Sequence, residues 1–273
     1  MQLSIRERLA RGMTMRYEVL GPIRVLGSGE PSFISARKIE ALFAALLARC
    51  DQVVTTDQLI REIWGEAPPK RATAALHVYI SQLRKFLKAS GGLRTRSPIV
   101  TRPLGYMLRI GNDEIDVRDF QSLTDRGTDL YHRAEYGEAI LVLERALQIW
   151  RGSALANHQE GLITYAYTTW LEESRLECTE TLLEAYLKMG RHREVVGRLY
   201  ALTTEYPLRE SFYRHLMQAL YRADRQADAL AVYQTARTRL QDELGLEPCE
   251  TLRQLNNDIL AGGFYAADGG AAA

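Results

Sequence analysis

At 273 residues, 46% of them hydrophobic and 25% charged, the chain has the composition of a globular protein with room for two ordinary domains. No apolar run nears the roughly 18 residues of a membrane span, the opening MQLSIRERLARG lacks the apolar stretch of a secretory signal, and Cys50, Cys178 and Cys249 have neither metal nor disulfide spacing, which points to a reduced cytoplasm. The net charge of +1 conceals two opposed halves: residues 1–110 carry 18 Lys and Arg against 8 Asp and Glu, and residues 111–273 carry 17 against 26, so the first half suits a polyanion and the second does not.

Residues 1–14 read as a short basic extension. MRYEVLG, PIRVLG and EPSFIS, bounded by Gly and Pro, predict three strands of a small antiparallel sheet, with GSGE (27–30) as a hairpin turn. Ser35 is placed to cap a helix over ARKIEALFAALLARC, whose Ile39, Leu42, Phe43, Leu46 and Leu47 recur at helical spacing. Thr55 or Thr56 caps a second helix, DQLIREIWG, which stops at Gly65 before the stiff connector APP. A third helix is predicted from about Arg71 to Lys88, ending at Gly91-Gly92. PIVTRPLGYMLRI then gives two short strands joined at Pro103-Leu104-Gly105, with Gly105 permitting the tight turn. Sheet, three helices and hairpin make a winged helix over residues 15–110.

The third helix has two faces. Stepping about 100° per residue, Leu76, Ile80, Leu83 and Leu87 fall in one narrow stripe. Opposite them lie Arg71, Ala74, Val78, Ser81, Gln82 and Lys85, and residues 70–88 contain five Lys or Arg and no Asp or Glu. Small residues allow close approach to a major groove, amide and hydroxyl groups address base edges, and flanking cations address phosphates. Arg102, near the hairpin tip, is placed for the narrow minor groove, where negative potential is concentrated. Tyr106 is expected to pack the wing on the third helix.

Residues 111–262 read as helical repeats. RAEYGEAILVLERAL, KMGRHREVVGRLYAL and YRADRQADALAVYQTAR align, placing Ala134, Gly190 and Asp224 five positions before Ala139, Val195 and Ala229. The second and third turn residues are 34 apart, the tetratricopeptide period, and the first and second 56 apart, which predicts an insertion around residues 150–172. GLEPCETLRQLNNDIL reads as a capping helix, and residues 263–273 as a disordered tail.

An α+β winged helix of OmpR type, carried by LLARCDQVVTTDQLIREIWG, SQLRKFL and TRPLGYML, followed by an all-α tetratricopeptide-like domain, resembles the Streptomyces antibiotic regulatory protein family. The resemblance implies a transcriptional activator of a secondary-metabolite gene cluster that binds direct repeats in double-stranded DNA near the promoter −35 element, head to tail as a dimer, and recruits RNA polymerase through its sigma factor. It makes Gln82 the base-reading position, Arg84 a phosphate contact, Arg102 the wing arginine, and the Trp64–Lys70 connector the polymerase loop with Glu66 and Lys70 exposed. Neighbouring regulators of this type belong to two-component phosphorelays, but only about 14 residues precede the winged helix here, so aspartyl phosphorylation is not the expected switch.

No catalytic or cofactor motif accompanies these features. His77, His132, His158, His192 and His215 are scattered without ligand spacing, and no serine or cysteine sits in a nucleophile motif. Neither an enzyme, a metal, a cofactor nor a membrane partner is expected. The alternative is a protein-interaction scaffold in which the repeats do the binding and the basic half anchors non-specifically to DNA.

Overall fold

The computed structural model describes residues 14–27, 30–91, 97–157 and 161–262. The expected N-terminal extension (but for Thr14), the middle of the GSGE turn, Gly92 and the C-terminal tail lie outside them. By packing, the chain divides into two units. The first holds the residues up to Asp125 together with Arg145–Leu176, and the second Arg126–Glu144 with the residues from Glu177 onward.

In the first unit, β1 (Arg16–Glu18) runs antiparallel to β2 (Arg24–Leu26). EPSFIS does not supply the third strand. It makes a single bridge, Val25 to Ser32, because Pro31 has no N–H to offer a ladder and Phe33 faces solvent. A strand from nearly 100 residues further on takes the place. It pairs parallel with β1, Tyr17 opposite Ile115.

The helices and wing follow. Helix α1 (Arg37–Ala48) starts at Ala36, which has no side-chain cap, so Ser35 lies one position too early to serve. It buries Leu42, Phe43, Leu46 and Leu47. β3 (Val54–Thr55) leads into α2 (Thr56–Trp64), and here Thr55 is the cap: its Oγ1 accepts from Gln58 N while the Gln58 side chain accepts from Thr55 N. Helix α3 (Ala72–Ser90) buries the expected stripe of Leu76, Ile80, Leu83 and Leu87, each at 1% exposure or less. β4 (Ile99–Arg102) and β5 (Gly105–Leu108) form the wing, and β5 also pairs with β3, giving the order β3-β5-β4. Arg102 faces Gly105 across a two-residue turn of Pro103 and Leu104. Gly105 earns its place differently from expectation: a β-carbon there would collide with the Val54 carbonyl oxygen, so close packing against β3 demands glycine.

β6 (Glu114–Ile115), the third strand of the first sheet, opens α4 (Asp116–His132). Asp116, 1% exposed, accepts hydrogen bonds from Val19 N and Leu20 N at 3.0 Å, and its burial pushes the carboxyl up to about 6. Helix α5 (Tyr136–Gln148) precedes the predicted insertion. That segment is a short 3-10 turn (Ala154–Asn157) and the first half of the 27-residue α6 (Leu162–Lys188). It packs into the first unit: Arg151 N donates to Leu20 O, Leu155 N to Val19 O, and Trp150 meets Phe120 edge-on at 5.4 Å. At the start of α6, Ile163 N, Thr164 N and Thr164 Oγ1 donate to the buried Glu62 carboxylate at 3.0, 2.8 and 2.7 Å.

The second unit takes the end of α4, most of α5 and the end of α6, followed by α7 (His192–Glu205), α8 (Glu210–Arg222) and α9 (Gln226–Leu244), with α10 (Glu250–Leu260) capping the array. The three aligned turn residues share one backbone geometry. Ala134, Gly190 and Asp224 have φ of 60°, 73° and 61°. At each, its own N–H bonds back three residues and the next N–H bonds back five, closing the preceding helix. Ala139, Val195 and Ala229 are all buried.

Two outcomes follow. Glu62→Ala strands two backbone donors, while the Thr164 hydroxyl can still donate to Gly161 O, and is expected to cost about 3 kcal/mol in urea unfolding. Ala134→Gly relieves a left-handed β-carbon and should stabilise by about 1 kcal/mol, whereas Gly190→Ala should destabilise by about as much.

Candidate nucleic-acid interface

Helix α3 presents one exposed face. Arg71, Ala74, Val78, Ser81, Gln82 and Lys85 are all exposed, recurring every three or four residues along it. Val78, 52% exposed, puts an apolar side chain in the middle of this face. Arg71, at the N-cap, and Lys85 bracket this face, and α3 carries no carboxylate to oppose a phosphate.

The wing is fixed beside it. Tyr106 is 8% exposed and meets the His77 ring edge-on at 6.5 Å, while the Arg84 guanidinium lies over the same tyrosine at 5.9 Å. Arg84 Nε and Nη2 donate to Ile99 O at 3.3 and 3.1 Å, and Nη2 donates to Thr101 Oγ1 at 2.8 Å. Arg84 is therefore half-buried between helix and wing and committed to holding them together. A phosphate contact would draw on the same fork. Arg102 is exposed at the last position of β4, and Leu104, 73% exposed, forms the tip with Pro103.

The connector before α3 is exposed. Gly65 closes α2 with φ of 59°, and Glu66 and Lys70 are exposed. Trp64 stacks on Tyr79 at 5.7 Å, with Lys38 Nζ 5.4 Å above its ring, so it is packed. Sequence reasoning passed over His77 and Thr101. His77, which lacks metal-ligand spacing, is exposed on α3 against the wing. Its signal was its place beside Val78. Among the described residues no cluster of three His, Cys, Asp or Glu could hold a metal, the three cysteines are free, and no helix is long and apolar enough to cross a membrane.

The sequence model of the bacterial transcriptional activator domain matches residues 115–260, and that of the C-terminal domain of transcriptional regulatory proteins matches residues 34–108. The chain belongs to the Streptomyces antibiotic regulatory protein family of transcriptional activators. The regulatory protein AfsR of Streptomyces coelicolor is 38% identical over 247 residues, 90% of this chain but 24% of AfsR, so the chain spans about a quarter of that relative. The transcriptional regulator RedD of the same organism is 35% identical over 251 residues, 92% of this chain and 71% of RedD. A solved structure of Mycobacterium tuberculosis EmbR in complex with a low affinity phosphopeptide superposes with a TM-score of 0.83 at 33% identity, covering 91% of this chain and 65% of that one. The fold is thus an OmpR-type winged helix followed by a helical activator domain, and the relatives of this family member are regulators rather than enzymes.

Arg84→Ala should loosen the wing, lowering stability by about 1–3 kcal/mol and broadening the amide signals of β4 in NMR spectra. Arg84→Lys, which cannot reproduce the fork, should recover less than half of that loss.

Proposed function

We propose that the chain is a sequence-specific DNA-binding activator of a secondary-metabolite gene cluster, reading direct repeats near the −35 element and working in the cytoplasm. The observation that carries this reading is the carboxylate-free, exposed face of α3 beside the clamped wing. Gln82 reads a base edge, its amide matching the donor and acceptor of adenine. Val78 and Ala74 contact methyl groups and permit close approach. Arg71 and Lys85 neutralise phosphates at either end, and Arg102 enters the adjoining minor groove. Glu66 and Lys70, on the exposed connector, meet RNA polymerase and its sigma factor. Two chains bind head to tail on tandem repeats, a heterologous contact that the DNA itself sets in register.

Fluorescence anisotropy tests this with a duplex carrying two direct repeats from the neighbouring promoters against a scrambled duplex. The expected preference is about 10³-fold or more, with affinity falling steeply with salt. Gln82→Ala should lose about 1–3 kcal/mol of discrimination at one base pair per repeat. Lys85→Ala should weaken all duplexes alike and flatten the logarithmic salt slope by about 0.9 per site. Equal binding to both duplexes would leave the scaffold reading, with the repeats as the working part.

A further inference from the structure

Within the second unit, α4, α6, α7 and α8 wall a pocket of about 510 Å³, a volume in the range of small-molecule sites. Glu184, Lys188, His192, Arg214, His215 and Arg222 line it. Three permanent cations thus face one carboxylate, and that carboxylate is already engaged. Glu184 accepts from the Tyr131 hydroxyl at 3.0 Å and from His215 Nε2 at 3.2 Å, and lies 3.9 Å from Arg214 Nη2. The hydrogen bond from His215 does most to hold Glu184 below its ordinary value. It stays ionised and only accepts, so Nε2 is the atom of His215 that donates to it.

The pocket also gathers atoms that lack partners. Among the described residues, seven buried side-chain polar atoms have no hydrogen-bond partner, and three of them belong to this lining: Arg214 Nε, His192 Nδ1 and His215 Nδ1. His215 is 2% exposed, so water reaches it poorly. Arg214 Nε–H is a permanent donor, and leaving it buried and unbonded is unfavourable unless something enters to accept it. Lys188 is exposed at the rim and makes no ion pair among the described residues. Burial, then the charge of Arg222, lowers the His192 pKa, so His192 offers a neutral polar contact rather than charge.

We infer that this pocket binds a small organic anion, with a carboxylate or phosphate group held by Arg214 and Lys188 and its polar body against His192 and His215. The repeat module is then a receptor for an acidic metabolite, a role independent of how the winged helix reads DNA.

Inorganic phosphate and succinate, titrated separately into the full chain at constant ionic strength, test the inference and separate the two head groups. The readouts are the Arg214 Nε–Hε signal in NMR spectra and the Tm. At least one anion should give a saturable shift of that signal and a saturable rise in Tm. Phosphate alone would assign a phosphorylated ligand and succinate alone a carboxylate. Lys188→Ala, at an exposed position where folding is not at stake, should weaken the apparent affinity at least fivefold, and Arg214→Gln should abolish saturation. Linear responses to both anions, or saturation unchanged in both variants, would overturn it.

Discussion

A buried carboxylate organises the first unit. Glu62 sits on the inner side of α2, 6% exposed, and accepts three hydrogen bonds from the first turn of α6. A charge removed from water is tolerated only when its lone pairs are used, and a helix N-terminus supplies both N–H donors and favourable dipole. Gly161 completes the arrangement, because a β-carbon there would overlap the Glu62 carboxylate. From Glu62 the dependence runs outward. Its helix is capped by Thr55, whose strand pairs with β5, whose partner β4 is clamped to α3 by Arg84. The exposed face of α3 is the last link of that series of hydrogen bonds.

The basic excess of the first half is less uniform than its count suggests. Arg16 pairs with Glu18, Glu114 and Asp119, Arg24 also reaches Glu18, and Arg84 is held by the wing. These cations stabilise the fold. Others, Arg71, Lys85 and Arg102 among them, stay exposed. The neighbouring positions Arg84 and Lys85 divide the two tasks, a planar fork for fixed carbonyl and hydroxyl partners, a mobile point charge for the solvent side.

What could be read from the sequence was what is local. The apolar stripe of α3, the cap at Thr55 and the turns at Ala134, Gly190 and Asp224 all arise from spacings shorter than two helical turns, and each leaves a pattern in adjacent letters. The exposed face of α3 was legible for the same reason. What escaped was set by distant pairs. Two residues at Glu114–Ile115 have no strand signature of their own, and only β1 makes them one. Glu62 looks like an ordinary polar residue of an amphipathic helix until its partners arrive 101 and 102 positions later. Gly105 was recognised as necessary, but for turn freedom instead of for the backbone pressed against it. The direction of the Arg84 side chain depends on where the wing lies, which no helical wheel contains.

The discontinuity of the first unit bears on its birth at the ribosome. Residues 145–176 close it, yet they are made after the wing is complete. At a synthesis rate of about 10 residues per second, the roughly 70 residues between wing and closure take on the order of 7 seconds. Until residues 151–164 are made, the nascent winged helix has neither the donors for Glu62 nor the backbone that meets Val19 and Leu20 after β1. The first unit is finished only when the chain has already committed to its helical half, so a translation product truncated before residue 145 is left without the segment that completes it.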